Sequence, residues 1–270
     1  MLRRLYRIPA LLLLLFGGLA TVFVVFPLSG DRVREGCIAT WSRWLLRACG
    51  VRVHERVADG AVALSSLRGA HGEGAGRLLL ANHVSWLDIF AIDSLAPASF
   101  AAKAEIASWP LAGTLVTRVG TVYVERGRRH AVHGVIQRMG QKLREGHRAA
   151  VFPEGTTSDG RRLLPFHGNL VQAALNTGAP MVPVGLRYVD PDGKPSHAAM
   201  FVGDTTFMAS LWRITGHPRL DVEVHVLPLI ESAQGLTRQE VARRARAAIG
   251  ARLGLVLDDA VPEALRGLRG

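Results

Sequence analysis

The stretch Leu78-Leu-Leu-Ala-Asn-His-Val-Ser-Trp-Leu-Asp88 decides how this chain is read. Three leucines and an alanine in a row predict a short strand buried on both faces. Asn82-His83 breaks the apolar run, and Ser85 opens a helix. His83 therefore stands at the mouth of a strand-to-helix turn, with Asp88 in the first helical turn. A carboxylate so placed fixes an imidazole's tautomer and steadies the imidazolium that forms when the ring takes a proton. No serine nucleophile is evident, so a substrate hydroxyl is the group that His83 would deprotonate as general base. On these residues alone a second reading stands level. Ser85-x-x-Asp88 also fits a capping box, which makes Asp88 a helix-start residue and His83 a polar loop residue.

Downstream, strand-like and helix-like segments alternate. Ser99 to Lys103 and Thr121 to Val124 read as strands, the second running into Arg126, Arg128 and Arg129. Arginine at a strand end suits a phosphate, which it can bind through two parallel N–H bonds, and Arg126 sits closest to that end. A solvated basic loop is the alternative. Val132, Val135, Ile136, Met139 and Leu143 share one face of a helix over 130–145. His130 and His133 read as solvated on its other face. Ala149 to Phe152 is the next buried strand, running into Pro153-Glu-Gly-Thr-Thr-Ser-Asp-Gly160. Such a turn puts N–H groups and hydroxyls at a strand's carboxyl end, where open α/β sheets bind ligands. Glu154 there suits a hydroxyl-rich substrate or a purely structural turn, and Arg161 and Arg162 are further phosphate candidates. Asn169 to Thr177 reads as a helix, Met181 to Tyr188 as a strand, and Asp221 to Leu227 as a half-exposed strand. Arg238 to Leu253 is a final helix.

Upstream, Val51 to Glu55 alternates like a strand, Ala61 to Leu64 reads as another, and Arg68 to Gly76 is a glycine-rich loop. Before them, Arg3, Arg4 and Arg7 precede 21 uncharged residues, Ile8 to Leu28, enough to cross a bilayer. Asp31 to Gly50 follows with tryptophans and arginines at near-helical spacing, suited to a headgroup boundary. The pattern predicts an anchor over 1–50, built as a membrane-associated helical hairpin (apolar helix 8–28, amphipathic helix 31–50). An α/β domain over 51–255 and a tail over 256–270 follow. The expected fold is a mixed β-sheet with helices on its faces. With the basic start inside, a simple span would put everything after residue 30 outside, whereas a hairpin that re-enters is expected to hold the domain on the cytoplasmic face of the cell inner membrane.

The composition, 49% hydrophobic and 20% charged, supports a large core. A net charge of +11 points to an anionic partner. The apolar start favours lipid, and no zinc-finger spacing or RNA-binding signature supports nucleic acid. Cys37 and Cys49 make no disulfide framework.

Four blocks then occur in order: Asn82-His83-x4-Asp88; Lys103-x-Glu105 with Pro110, Gly113, Gly120 and Arg126; Phe152-Pro-Glu-Gly-Thr156; and Val182-Pro-Val184. This pattern resembles the glycerolipid acyltransferases typified by 1-acyl-sn-glycerol-3-phosphate (lysophosphatidate) acyltransferase, across roughly residues 78–188. The resemblance implies that an acyl thioester, acyl-CoA or acyl-ACP, gives its chain to a lysophospholipid hydroxyl. It makes His83 the base and Asp88 its orienting partner. It sets Lys103, Arg126 and Glu154-Gly155-Thr156 on the substrate side, where Arg161 is a further candidate. It implies no metal and no organic cofactor, because the thioester is already activated. One position departs: the family often has Glu-Gly-Thr-Arg-Ser, and here the arginine's place is held by Thr157. Either Arg126, Arg161 or Arg162 supplies that charge, or the acceptor is not a phosphate monoester. The run Glu154 to Gly160 also resembles lyso-ornithine lipid acyltransferases. Two other classes remain open at this stage: a hydrolase using the same His-Asp pair on water, and a lipid-binding scaffold.

Overall fold

The computed structural model describes residues 2–72, 74–124, 129–232 and 235–259. In chain order the elements are α1 (Leu2–Ala20), α2 (Asp31–Cys49), β1 (Val51–Val57), β2 (Arg77–Ala81), α3 (Leu87–Leu95), β3 (Ser99–Lys103), α4 (Ala112–Arg118), β4 (Val122–Val124) and α5 (Arg129–Arg144). They continue with β5 (Arg148–Val151), β6 (Arg162–Leu163), α6 (Gln172–Leu175), β7 (Met181–Val189), α7 (Phe207–Gly216), β8 (Leu220–Val226), α8 (Arg238–Leu253) and β9 (Val256–Leu257).

Among the described residues the main sheet has seven strands in the order β1-β8-β7-β2-β5-β3-β4. From β7 to β4 all neighbours are parallel; β8 runs antiparallel to β7, and β1 parallel to β8. The sheet is mixed and carries helices on both faces. Along β2, Leu79 and Ala81 point into a core shared with Leu45 and Leu46 of α2 and Ala91 and Ile92 of α3. Leu78 and Leu80 point the other way, onto Val135 and Met139 of α5 and Val241 and Ala245 of α8. That two-sided cover is why β2 reads as an unbroken apolar run. Leu78, Leu79 and Leu80 are all fully buried, each contributing about 1.5–3 kcal/mol of burial.

Three local readings change. Residues 61–64 form no strand; Leu64–Leu67 is a short helical turn. The helix expected from Asn169 to Thr177 is confined to Gln172–Leu175. β8 is buried rather than half-exposed. It lies inside the sheet, and side chains close over its polar face: Asp221 meets His54 and Arg219, Glu223 meets Arg187, and Arg252 donates to His225. Past residue 255, β9 pairs in parallel with β6.

The expected membrane hairpin is met in its first helix only. Leu2–Leu28 is one helical run, apolar and long enough to cross a bilayer, with a π turn at Thr21–Val25 and a tight turn at Phe26–Leu28. Its outward side exposes Leu12, Leu13, Phe16, Phe23 and Leu28. α2 is instead a domain helix that buries Ala39, Leu45, Leu46 and Cys49 and packs on α3. The start of α1 is tied down as well. Arg7 is 6% exposed and donates to the carbonyls of Thr215 (3.2 Å), His217 (2.6 Å) and Pro218 (3.0 Å) at the end of α7. Arg4 lies 4.2 Å over the Trp212 ring.

Candidate active site

The parallel strands carry the candidate residues to one edge of the sheet. β2 leads into Asn82-His83, β5 into Phe152-Pro-Glu154, β3 ends at Lys103, and Lys103 is in register with Val124. Asn82 fixes where β2 stops, because its amide exchanges two bonds with Leu186 on β7, at 3.0 and 2.6 Å. The next residue turns out of the sheet.

His83 Nδ1 lies 2.8 Å from Asp88 Oδ2. The same oxygen accepts from the backbone N–H groups of Val84 (2.7 Å) and Ser85 (2.9 Å), and Oδ1 accepts from the Tyr188 hydroxyl at 2.7 Å. Asp88 is fully buried, and four donors converge on it. An ionised carboxylate, which only accepts, satisfies all of them. Nδ1 then carries the ring proton, and Nε2 is the nitrogen with a lone pair to offer. The two readings of Ser85-x-x-Asp88 are therefore compatible. The carboxylate makes the bond back to Ser85 N that belongs to a capping box, and with the same oxygen it orients His83. The other half of the box is not made, because Ser85 Oγ accepts from Leu87 N at 3.3 Å rather than from Asp88 N.

The Phe152 block braces this loop from the strand next door. The Phe152 ring stacks on the His83 imidazole, centroids 3.9 Å apart and planes 10° apart. Glu154, fully buried, accepts from His83 N at 2.6 Å and Leu164 N at 3.0 Å. Ser158 N returns a bond to His83 O at 2.7 Å. Both Glu154 oxygens are thus held by backbone, so the side chain backs the site rather than facing an acceptor. Burial pushes its pKa up to about 8, against the pull of those two N–H bonds. Burial, with Asp88 beside it, also raises the Tyr188 hydroxyl well above its usual value, so it stays a donor.

The other expected residues fall out as follows. Gly155 is exposed with φ +69°, a left-handed turn position that favours glycine. Thr156 is half-buried beside it. Thr157, in the arginine's place, donates its hydroxyl to the Phe201 carbonyl. Lys103 is exposed at its strand end, and Arg126 lies outside the described residues. Arg161 is exposed and donates to His197 Nε2 at 2.7 Å. Arg161, His197, Asp159, Arg187 and Tyr188 line a cavity of about 270 Å³ that reaches Val84, next to His83. Sequence reasoning missed Tyr188. Its signal was a hydroxyl near the end of a strand that is apolar but for Arg187, and a buried hydroxyl there needs an acceptor.

The class this defines is an α/β enzyme with a half-exposed imidazole, backed by a buried carboxylate, at the carboxyl edge of parallel strands. The comparisons agree. A family model described as Acyltransferase matches residues 71–187. Lyso-ornithine lipid O-acyltransferase of Pseudomonas aeruginosa is 37% identical over 206 residues, covering 76% of this chain and 75% of that one. The 1-acyl-sn-glycerol-3-phosphate acyltransferase of Neisseria gonorrhoeae is 38% identical over 189 residues, covering 68% and 71%. The crystal structure of the 1-acyl-sn-glycerophosphate acyltransferase from Thermotoga maritima shares the fold, with TM-score 0.62 at 19% identity, covering 93% of this chain and 96% of that one. The chain belongs to this acyltransferase family and is an acyltransferase.

Proposed function

We propose that the protein moves a fatty acyl chain from acyl-CoA or acyl-ACP to the hydroxyl of 1-acyl-sn-glycerol-3-phosphate, giving phosphatidic acid. The observation that carries this is the His83–Asp88 pair beside the Arg161 cavity. His83 Nε2 takes the acceptor's hydroxyl proton as its oxygen attacks the thioester carbonyl. Asp88 holds Nδ1–H and steadies the imidazolium. Collapse of the tetrahedral intermediate breaks the C–S bond, and the imidazolium returns its proton to the departing thiolate. No resident cofactor is required by these steps. Arg161 meets the acceptor's anionic head, with Lys103 and the Gly155-Thr156 turn along the same edge.

One observation favours a second acceptor, a lyso-ornithine lipid. The Thr157 hydroxyl is committed to the Phe201 carbonyl, so that position offers no cation, and four relatives carry that activity in their names. The test offers purified protein labelled acyl-CoA with either acceptor in vesicles. Faster transfer to lysophosphatidate, with a KM that rises about 10-fold or more in Arg161→Ala for loss of a charge-assisted contact, is the expected result. Preference for the ornithine lipid replaces the first reading with the second. Thioester loss with neither product contradicts both.

The setting is part of the proposal. Arg7 ties the start of α1 to α7, and α2 is seated on α3, so both ends of the α1–α2 pair belong to the domain. The exposed apolar side of the Leu2–Leu28 helix enters the membrane and holds the domain on the cytoplasmic face of the inner membrane. Protease added outside intact cells should leave the domain uncut; trimming would overturn this topology.

A further inference from the structure

At the opposite edge of the sheet, where the parallel strands begin, three segments distant in sequence meet. They are Glu35 on α2, His71 in the glycine-rich loop before β2, and His147 in the turn between α5 and β5. One donor atom from each lies within 4.8 Å of the others. His71 Nε2 is 3.5 Å from Glu35 Oε2, and the two imidazoles meet edge to face with centroids 5.4 Å apart. Backbone fixes this juxtaposition. Gly146 has φ +81°, and a Cβ there would lie 2.2 Å from the Gly72 carbonyl oxygen, so the His71 loop sits directly on the His147 turn.

The groups are prepared for a ligand. Both ring nitrogens of His71 are buried without a hydrogen-bond partner among the described residues. A buried imidazole left so is costly, and such a group in a native protein calls for an unseen ion or water. The Glu35 carboxylate is held from behind by Arg148 on Oε1 and by Gly69 N on Oε2 at 3.1 Å. Carboxylates that bind metals are oriented by outer partners in this way. Asp31 Oδ2 lies 3.8 Å from His147 Nε2, a further oxygen at the rim.

We propose that Glu35, His71 and His147 form a binding site for a divalent transition metal ion of the zinc type. Two imidazoles and one carboxylate are the donors such an ion takes, and they suit magnesium or calcium poorly. The site lies away from His83, so the ion clamps rather than catalyses. It joins α2 to the loop entering β2 and the turn entering β5.

The test uses the full chain in detergent, stripped with chelator and titrated with Zn²⁺ against a chromophoric competitor. The proposal expects one equivalent bound and a rise in the thermal unfolding midpoint. Affinity should fall at least about 10-fold in His71→Gln and again in His71→Gln/His147→Gln, and the double variant should show no thermal response. Cobalt(II) should give a visible d–d spectrum in the parent that His147→Gln alone removes, a readout that does not need the double variant to fold. Equal zinc binding and thermal response in parent and double variant would overturn the site. So would the absence of saturable binding in the parent.

Discussion

The two edges of the sheet handle buried charge differently. At the carboxyl edge Asp88 is fully buried and meets four donors, and what this arrangement leaves over is one half-exposed imidazole. At the amino edge Arg148 is 1% exposed, donates to the carbonyls of Pro97, Leu67 and Ala70, and pairs with Glu35. Nearby Asp93 accepts from Ala98 N at 3.0 Å, and burial pushes its carboxyl up to about 8. One edge uses its polar contacts to orient the imidazole of His83. The other spends them joining α2 and a loop to the sheet. The contrast teaches that burial of charge alone does not single out a candidate active site; what singles out this one is a satisfied carboxylate whose partner is still partly exposed.

That contrast can be broken by substitution. The largest effect belongs to Asp88→Asn. An amide cannot accept from four donors, so the tautomer of His83 is no longer fixed. Acyl-transfer turnover should fall by roughly 10²–10⁴, with circular dichroism checking that the fold survives. A loss under tenfold in a folded variant would separate Asp88 from the chemistry. Next comes Arg148→Met, which strands Glu35 and should cost about 3–5 kcal/mol of stability, as breaking a buried pair does. Denaturant unfolding measures it, while turnover per folded molecule should stay within about twofold of the parent. A selective loss of turnover would mean that the two edges are coupled.

A smaller effect tests the brace. The Glu154 pKa is raised from 4.5 to about 8, so between those values the folded protein holds a proton that the unfolded chain has released. Stability from this group is fully present below about pH 4.5 and is lost as pH rises toward 8. The difference in unfolding midpoint between the parent and Glu154→Gln should drift across that window and stay flat outside it. A difference constant from pH 5 to pH 8 would show that Glu154 is ionised throughout.

Much of this was legible in the chain itself. The run Leu78 to Ala81 announces a strand covered on both sides, and the apolar stripe from Val132 to Leu143 announces α5, because both patterns are imposed by the core they enter. The spacing of His83 and Asp88 placed a ring and a carboxylate together. It did not show that one oxygen serves both the helix cap and the ring. Contacts across long separations were hidden, since nothing local in Tyr188 or Glu154 names its partner on another strand. The polar alternation of β8 misled for the same reason: the side-chain partners that allow its burial come from β1, β7, α8 and the turn before β8. α2 misled because tryptophan and arginine at helical spacing suit a membrane boundary and a domain surface equally.

The central claim is that His83 is the base, and the most direct measurement is single-turnover acyl transfer by His83→Ala in vesicles, beside the parent at equal bound protein. Removal of the base should slow transfer by about 10²–10⁴ or more, while co-sedimentation with the vesicles is unchanged. Transfer within a few-fold of the parent, with membrane binding intact, would take His83 out of the mechanism and leave its bond to Asp88 as a loop contact.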